Sequence, residues 1–428
     1  MHGLCAGPTF WKNLTQRVAS ATLITTLAAA ATISIAHAAD PHKMIDHDGS
    51  ADNSCIVPNQ WYNPDDMGQI NSNQFLRNAA KGRVVLLGEH HAQGDHQRWE
   101  LHTLVALHAL NPNMAIGFEM FPRKAQPVLD KWIAGELTEA EFLEQSNWQK
   151  YWNFDSKYYM PLFHFARMNQ IPIHALNVSR DLLKKVRKEG WQNIAEEDRE
   201  GVADPAPPGE GYKKLLISIY QQHGAHKPDA KKGESESDSA SDFESPGFKR
   251  FLQGQTLWDA AMAQIIFHET EKNPSLLFVG VMGSGHVVND YGIPDQLKSL
   301  GQKDVTTMIA WHDDFGCEGI GGEFADAVIG MTMQEDAAQP KPKLGVYLEE
   351  DEGKVSIAKL VEDSVAEKIG LQKGDIFVKA AGKKITRMIQ VISIVQHTRH
   401  GTWLPLLMKR GDGEIEIVAK FAPLNEEE

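Results

Sequence analysis

Glu89, His90 and His91 follow directly on the apolar run Val84-Val85-Leu86-Leu87 and a glycine, Gly88. Imidazole beside carboxylate is the pairing that moves protons near neutral pH, and it is also a ligand set suited to Fe, Mn, Co or Zn. Similar endings recur along the chain: Met114-Ala115-Ile116-Gly117-Phe118 stops at Glu119, and Ile171 to Leu176 stops at Asn177. Ser275 to Met282 runs into Gly283-Ser284-Gly285-His286. A single histidine at such a place is most often a hydrogen-bonded structural residue. The repeated Gly-x-x-His, Gly88 to His91 and Gly283 to His286, raises the odds that these side chains act together.

Such residues meet only if the runs before them are neighbouring parallel strands. Four apolar residues in a row, two of them β-branched, read as a strand buried on both faces. His96 to Leu110 has one apolar face with helical spacing, closed by Asn111-Pro112-Asn113, and Pro127–Ile133, Glu139–Gln145 and Arg180–Val186 read as shorter helices. Phe248 to Thr270 is a long amphipathic helix, and Val305–Trp311 and Ala327–Met331 are further strands. Strands alternating with helices predict an α/β fold with a mostly parallel sheet flanked by helices, whose ligands bind outside the carboxyl ends of the strands. Between Asn147 and Phe165 stand eight aromatic residues in nineteen, against 8% for the whole chain. They predict either a packed helix pair or the wall of a pocket for a flat apolar ligand.

The chain of 428 residues has room for two or three domains. Its net charge of −14 argues against a general nucleic-acid or anionic-membrane binder. Lys12 and Arg17, the apolar stretch Val18 to Ile35 and Ala36-His37-Ala38 have the layout of a secretory signal at 1–38, so the mature chain is expected to start near Ala39, without a membrane span, in the periplasm or secreted. Cys55 and Cys317 then remain as a candidate disulfide, free thiols being the alternative. A polar extension at 39–74 precedes the α/β domain at 75–335. Within that domain the Lys-, Glu- and Ser-rich stretch 226–246 reads as a disordered insertion. The proline-rich linker 336–342 leads to a unit at 343–422. There is no Walker lysine, no Gly-x-Ser-x-Gly, no His-Glu-x-x-His and no Cys-x-x-Cys-His, the last excluding covalent c-type haem attachment.

The span from about Val84 to Met331 resembles the ChaN-like haem-binding uptake domain of the Tiki superfamily. Leu87-Gly88-Glu89-His90-His91, Gly117-Phe118-Glu119-Met120-Phe121, Gln126-Pro127, Ile173-His174-Ala175-Leu176-Asn177 and Gly283-Ser284-Gly285-His286 carry the resemblance. It implies an exported protein of iron or haem acquisition that holds haem non-covalently, across a homodimer. The superfamily also contains metal-dependent hydrolases, so Glu89, His91, Glu119 and His286 inherit catalytic or metal-ligand roles. Arg123 is a candidate contact for a haem propionate, and Tyr151, Tyr158 and Tyr159 are candidate axial ligands. Ala92 stands where relatives often have Asp, and Asp95-His96 where they have a His pair.

The C-terminal unit resembles a bacterial PDZ domain. Leu344-Gly345-Val346 matches the loop that takes a peptide carboxylate, and Ala366 to Asp375, Ile376-Phe377-Val378 and Gly382 match the interior of the domain. The resemblance implies capture of a peptide or protein C-terminus. Two other readings stay open: a metal-dependent peptidase or esterase using the same Glu and His residues, and a PDZ scaffold with a vestigial site.

Overall fold

The computed structural model describes residues 56–152, 154–224, 243–312, 320–332 and 341–424. The expected leader, the first part of the extension, most of the acidic insertion and of the linker, and the Cys55–Cys317 pair lie outside the described residues.

In chain order the first domain runs β1 (Trp61–Tyr62), α1 (Ser72–Ala79), β2 (Val84–Glu89), α2 (Gly94–Leu110), β3 (Met114–Pro122), α3 (Gln126–Ile133), α4 (Glu139–Gln145) and α5 (Trp148–Tyr151). It continues with α6 (Ser156–Met168), β4 (Ile173–Asn177), α7 (Arg180–Glu189), α8 (Glu210–Gly224), α9 (Pro246–Lys272), β5 (Leu277–Gly283), α10 (Ile293–Leu300), β6 (Val305–His312) and β7 (Ala327–Met331). The sheet order is β1-β7-β6-β2-β5-β3-β4. All neighbours are parallel except β1, which caps the β7 edge antiparallel, Trp61 opposite Ile329.

The continuous apolar run of β2 has a double duty because successive side chains point to opposite faces. Val85 and Leu87 enter one core with Trp99, Trp132, Phe142 and Phe163 of α2, α3, α4 and α6. Val84 and Leu86 enter another with Met262, Ala263, Ile266 and Leu297 of α9 and α10. All six residues of β2 are buried, so no alternation appears in its sequence. Half of the aromatic stretch goes into the first core, and Trp148, Tyr159 and Phe163 are fully buried there.

The second domain holds β8 (Val346–Asp351), β9 (Lys354–Leu360), α11 (Val365–Lys368), β10 (Ile376–Ala380), β11 (Lys383–Lys384), α12 (Met388–His397), β12 (Trp403–Arg410) and β13 (Gly413–Lys420). Its antiparallel sheet has the order β13-β12-β10-β9-β8, with β11 on β10. Val355, Ile357, Phe377, Val391, Leu406 and Met408 form its core. Asp375 is buried and takes two hydrogen bonds from Arg410, at 2.8 and 2.7 Å. Helices α1, α8 and α10 of the first domain, and the short β1, have no counterpart in the reading from sequence. α1 and α10 are eight residues each, and α8 runs straight into the polar insertion.

Candidate functional site

Parallel β2, β5 and β3 are consecutive in the sheet, so their carboxyl ends share one rim. Glu89 ends β2 in register with Gly283 at the end of β5, and Glu119 lies near the end of β3. Glu89, Glu119 and His286 are each at most 8% exposed. Gly283 is what lets the two sides close: a Cβ there would sit 3.0 Å from His91 Cε1 and 3.6 Å from Glu119 Oε2. The four residues singled out for chemistry thus do converge.

They converge as two gripped imidazoles. His91 Nδ1 lies 2.5 Å from Glu89 Oε1, and Gln97 Nε2 donates to Glu89 Oε2 at 2.5 Å. Tyr159 accepts the Ala92 N–H at 2.9 Å and donates to Glu89 at 3.5 Å, which holds the turn carrying His91. On the other side His286 Nδ1 lies 2.5 Å from Asp259 Oδ1, and Tyr212 donates to Asp259 Oδ2 at 2.6 Å. His286 Nε2 faces Glu119 Oε1 at 3.6 Å, while Glu119 Oε2 accepts the Gly283 N–H at 2.7 Å.

The charges follow from this packing. Burial alone would push His286 down, but Glu119 and Asp259 outweigh it and hold the imidazole up at about 10. Burial likewise pushes Glu119 up, yet His286, His91 and the Gly283 N–H bring it down to about 2. Burial also pushes His91 down, but its bond to Glu89 and the nearby Glu119 overcome this and raise it. At neutral pH His286 is therefore an imidazolium and Glu119 a carboxylate.

His90, adjacent in sequence, belongs elsewhere. Its N–H donates to His96 Nδ1 at 3.2 Å, and His96 Nε2 meets His312 Nε2 at 2.6 Å. Burial and the neighbouring His312 push His90 down to about 4 and His96 to about 2, so both are neutral. His96 accepts at Nδ1, so its proton sits on Nε2 and is donated to His312.

Above the gripped imidazoles opens a cavity of about 200 Å³. His91 and Glu119 form its floor; Tyr151, Trp152, Phe154 and Trp258 its walls; Arg180, at the first position of α7, its rim. Arg180 donates to the Tyr151 carbonyl at 2.7 Å, which fixes the guanidinium beside the aromatic wall. Asn177 lines the same cavity and donates to the Glu119 carbonyl at 2.9 Å. A larger cavity of about 320 Å³ lies by Asn113, His174 and Lys272, at the amino ends of β3 and β4, away from this rim.

The structure places the remaining candidates as follows. Arg123 does not reach the cavity: its guanidinium donates to the carbonyls of Glu200 and Ala261, at 3.0 and 2.8 Å, and pins those segments together. Tyr159 is fully buried beneath the rim, with its hydroxyl between Ala92 and Glu89, and Tyr158 packs on Gly94 under Lys157. Of the three tyrosines, Tyr151 lines the cavity. Among the described residues no group of three His, Cys, Asp or Glu side chains is arranged to hold a metal ion. The physical reason is that Glu89, Asp259 and Glu119 direct their oxygens at their own imidazoles and at N–H donors.

Asp259, Tyr212, Gln97, Arg180 and Trp258 were not foreseen. Asp259 left one trace in the sequence: a carboxylate inside the apolar run Leu257 to Ala263 of α9, where it is fully buried. A charge in such a place needs a partner.

In the second domain the Leu344-Gly345-Val346 loop starts β8, the edge strand of the sheet. Gly345 has φ +81°, and a Cβ on it would lie 2.2 Å from Ser364 Cβ, so the tight loop requires glycine. α12 packs beside β8, which sets a helix along the open strand edge.

A family model described as haem-binding uptake, Tiki superfamily, ChaN matches residues 75–297, a little over half of the chain, and a PDZ-domain model matches residues 356–409. A solved structure of cofacial haem binding to ChaN of Campylobacter jejuni is 18% identical with a TM-score of 0.48, covering 64% of this chain and 98% of that one. The serine endoprotease from Yersinia pestis is 26% identical with a TM-score of 0.18, covering 20% of this chain and 30% of that one. The PDZ domain of HtrA3 bound to a phage-derived ligand is 17% identical with a TM-score of 0.17, covering 19% of this chain and 84% of that one. No curated protein matches the chain.

Proposed function

Since the chain belongs to the ChaN-type haem-binding uptake family of the Tiki superfamily, we propose that it binds haem non-covalently at the rim cavity and uses its PDZ domain to hold a protein partner by its C-terminus. The observation that carries the haem reading is the cavity's make-up, aromatic walls with one arginine at the edge. Flat apolar faces match a macrocycle, and a guanidinium matches a propionate. At about 200 Å³ the cavity is smaller than the ~300–1,000 Å³ that encloses a drug-sized ligand, so it fits a cradled haem rather than an engulfed one.

Bound haem would supply an iron centre. The chain's own residues would do the holding: Trp152, Phe154 and Trp258 would cover apolar surface, Arg180 would take a carboxylate, and Tyr151 or His91 would offer a donor to the iron. His91 carries Glu89 on Nδ1, which raises the basicity of Nε2. The secretory layout of the first 38 residues supports binding outside the cytoplasm, in iron acquisition. No helix among the described residues is long and apolar enough to cross a membrane.

Titrating ferric haem into the full chain and following the Soret band tests the reading. Trp152→Ala and Phe154→Ala each remove about 1–2 kcal/mol of apolar contact, so affinity should fall about tenfold. Unchanged affinity in both variants would remove haem from this cavity.

The two carboxylate-gripped imidazoles favour a second reading, hydrolysis of an ester or amide at the cavity floor. His91, on the floor, would take a proton from the attacking water, and the protonated His286 behind it would keep Glu119 ionised. Turnover of model esters that is lost in His91→Ala and unaffected by haem would support it over haem carriage.

A further inference from the structure

The PDZ sheet has two edges. One is β8, the peptide edge; at the other end β13 pairs with β12 alone among the described residues. β13 is eight residues long, which is long for an edge left open to water. Its solvent face reads Glu414, Glu416, Val418, Lys420, all exposed, with Val418 at 41%. Across on β12, Trp403 lies opposite Lys420 and is 69% exposed, with the Lys420 ammonium 5.1 Å from its ring centroid, and exposed Pro405 lies opposite Val418.

Edge strands are usually protected by charges that repel a second strand. The charges of β13 differ in their arrangement. Glu414 already has Lys409 opposite it within the sheet, whereas Glu416 faces Leu407. Glu416 and Lys420 flank Val418 at equal distance along the strand with opposite sign.

We propose that β13 is a self-association edge through which two copies of this chain pair antiparallel, with Val418 opposite Val418. In this register Glu416 of each copy lies opposite Lys420 of the other, and Ile417 lies opposite Ala419. Cross-strand neighbours of opposite charge attract and like charges directly opposite repel, so the pattern is complementary to itself. Centring the two-fold on Glu416 would set two carboxylates face to face. Centring it on Ile417 would pair Glu414 with Lys420 but place Val418 against Glu416. Only the Val418 register joins the exposed apolar strip of Val418, Pro405 and Trp403 across the axis. The sheet is continued at the end away from β8, so peptide capture and self-association do not compete for an edge.

The test is sedimentation of the full chain over a range of concentrations at physiological salt, where repulsion from the overall charge of −14 is screened beyond about 8 Å. The wild type should show a concentration-dependent dimer. Glu416→Lys and Lys420→Glu, both at exposed positions, should each raise the dimer dissociation constant at least tenfold. An equimolar mixture of those two variants should dimerise again, because one chain then carries lysine at both positions and its partner glutamate at both. The double variant should recover as well. Glu414→Lys should leave the dimer unchanged. A monomeric wild type, a mixture that stays monomeric, or sensitivity at position 414 in place of 416 overturns the proposal.

Discussion

Replacing Asp259 by asparagine tests whether His286 is held charged by its two carboxylates. The rise of His286 from 6.5 to about 10 corresponds to about 5 kcal/mol, at roughly 1.4 kcal/mol for each pH unit. The downward shift of Glu119 is the same attraction seen from the other partner, so it is not added. Asp259 is the nearer carboxylate, 2.5 Å against 3.6 Å for Glu119. Glu119 and Asp259 both raise it, and taking the two as comparable puts the share of Asp259 at about 2–3 kcal/mol. Because the folded value is raised, this stabilisation is complete below pH 6.5 and is lost as pH rises toward 10. The asparagine amide oxygen can still accept a hydrogen bond, so what disappears is the charge. Burial raises the carboxyl of Asp259 itself, which offsets part of the absolute gap, so the expected result is in the pH dependence: urea unfolding should show the stability of the wild type relative to Asp259→Asn falling by about 2–3 kcal/mol between pH 6 and pH 10. Carbon-labelled histidine spectra should show one imidazole whose titration moves down by about two pH units in the variant. A stability gap that is equal at both pH values, or an imidazole whose titration does not move, would refute the reasoning.

Gly283→Ala should disturb the site without a change of charge, because the new methyl meets the His91 ring at 3.0 Å. A cost of about 1–3 kcal/mol in urea unfolding, with weakened haem binding, is expected. Tyr159→Phe removes the acceptor for the half-buried Ala92 N–H and should cost about 1 kcal/mol while leaving the haem spectrum unchanged, which a combined unfolding and Soret measurement checks. Gly345→Ala places a Cβ 2.2 Å from Ser364 at φ +81°, so calorimetry should find peptide binding reduced at least tenfold. Amidating the peptide's C-terminus should weaken binding to the wild-type PDZ domain to a similar degree, since the Leu344-Gly345-Val346 loop is read as a carboxylate cradle.

Most strand ends were legible because a sheet buried on both faces demands uninterrupted apolar runs, which the polar residues after Leu87 and Met282 break; Glu119 instead stands inside a strand that continues to Pro122, so the expected end at Phe118 came too early. Their convergence followed from the parallel order that alternating strands and helices impose. What stayed hidden depends on which side of an element a residue faces. Tyr158 and Tyr159 are adjacent on α6, yet one reaches the surface and the other lies beneath the rim. Arg123 and Arg180 each stand a few residues past a strand-end polar group, and only the fold decides that the first is pinned to backbone and the second borders the cavity. Asp259 comes from the middle of a 27-residue helix whose pattern shows that a carboxylate is buried but not what it meets. The aromatic stretch divides in the same way: Trp148 and Phe163 fill the core, while Trp152 and Phe154 border both the core and the opening.

The most direct measurement of the central claim is the position of iron. Crystals of the full chain grown with ferric haem, measured on either side of the iron absorption edge, should give an anomalous peak at the cavity bounded by Tyr151, Trp152, Phe154 and Arg180. A peak at any other surface of the chain, or well-diffracting crystals from haem-saturated protein with no iron peak at this rim, would contradict the account.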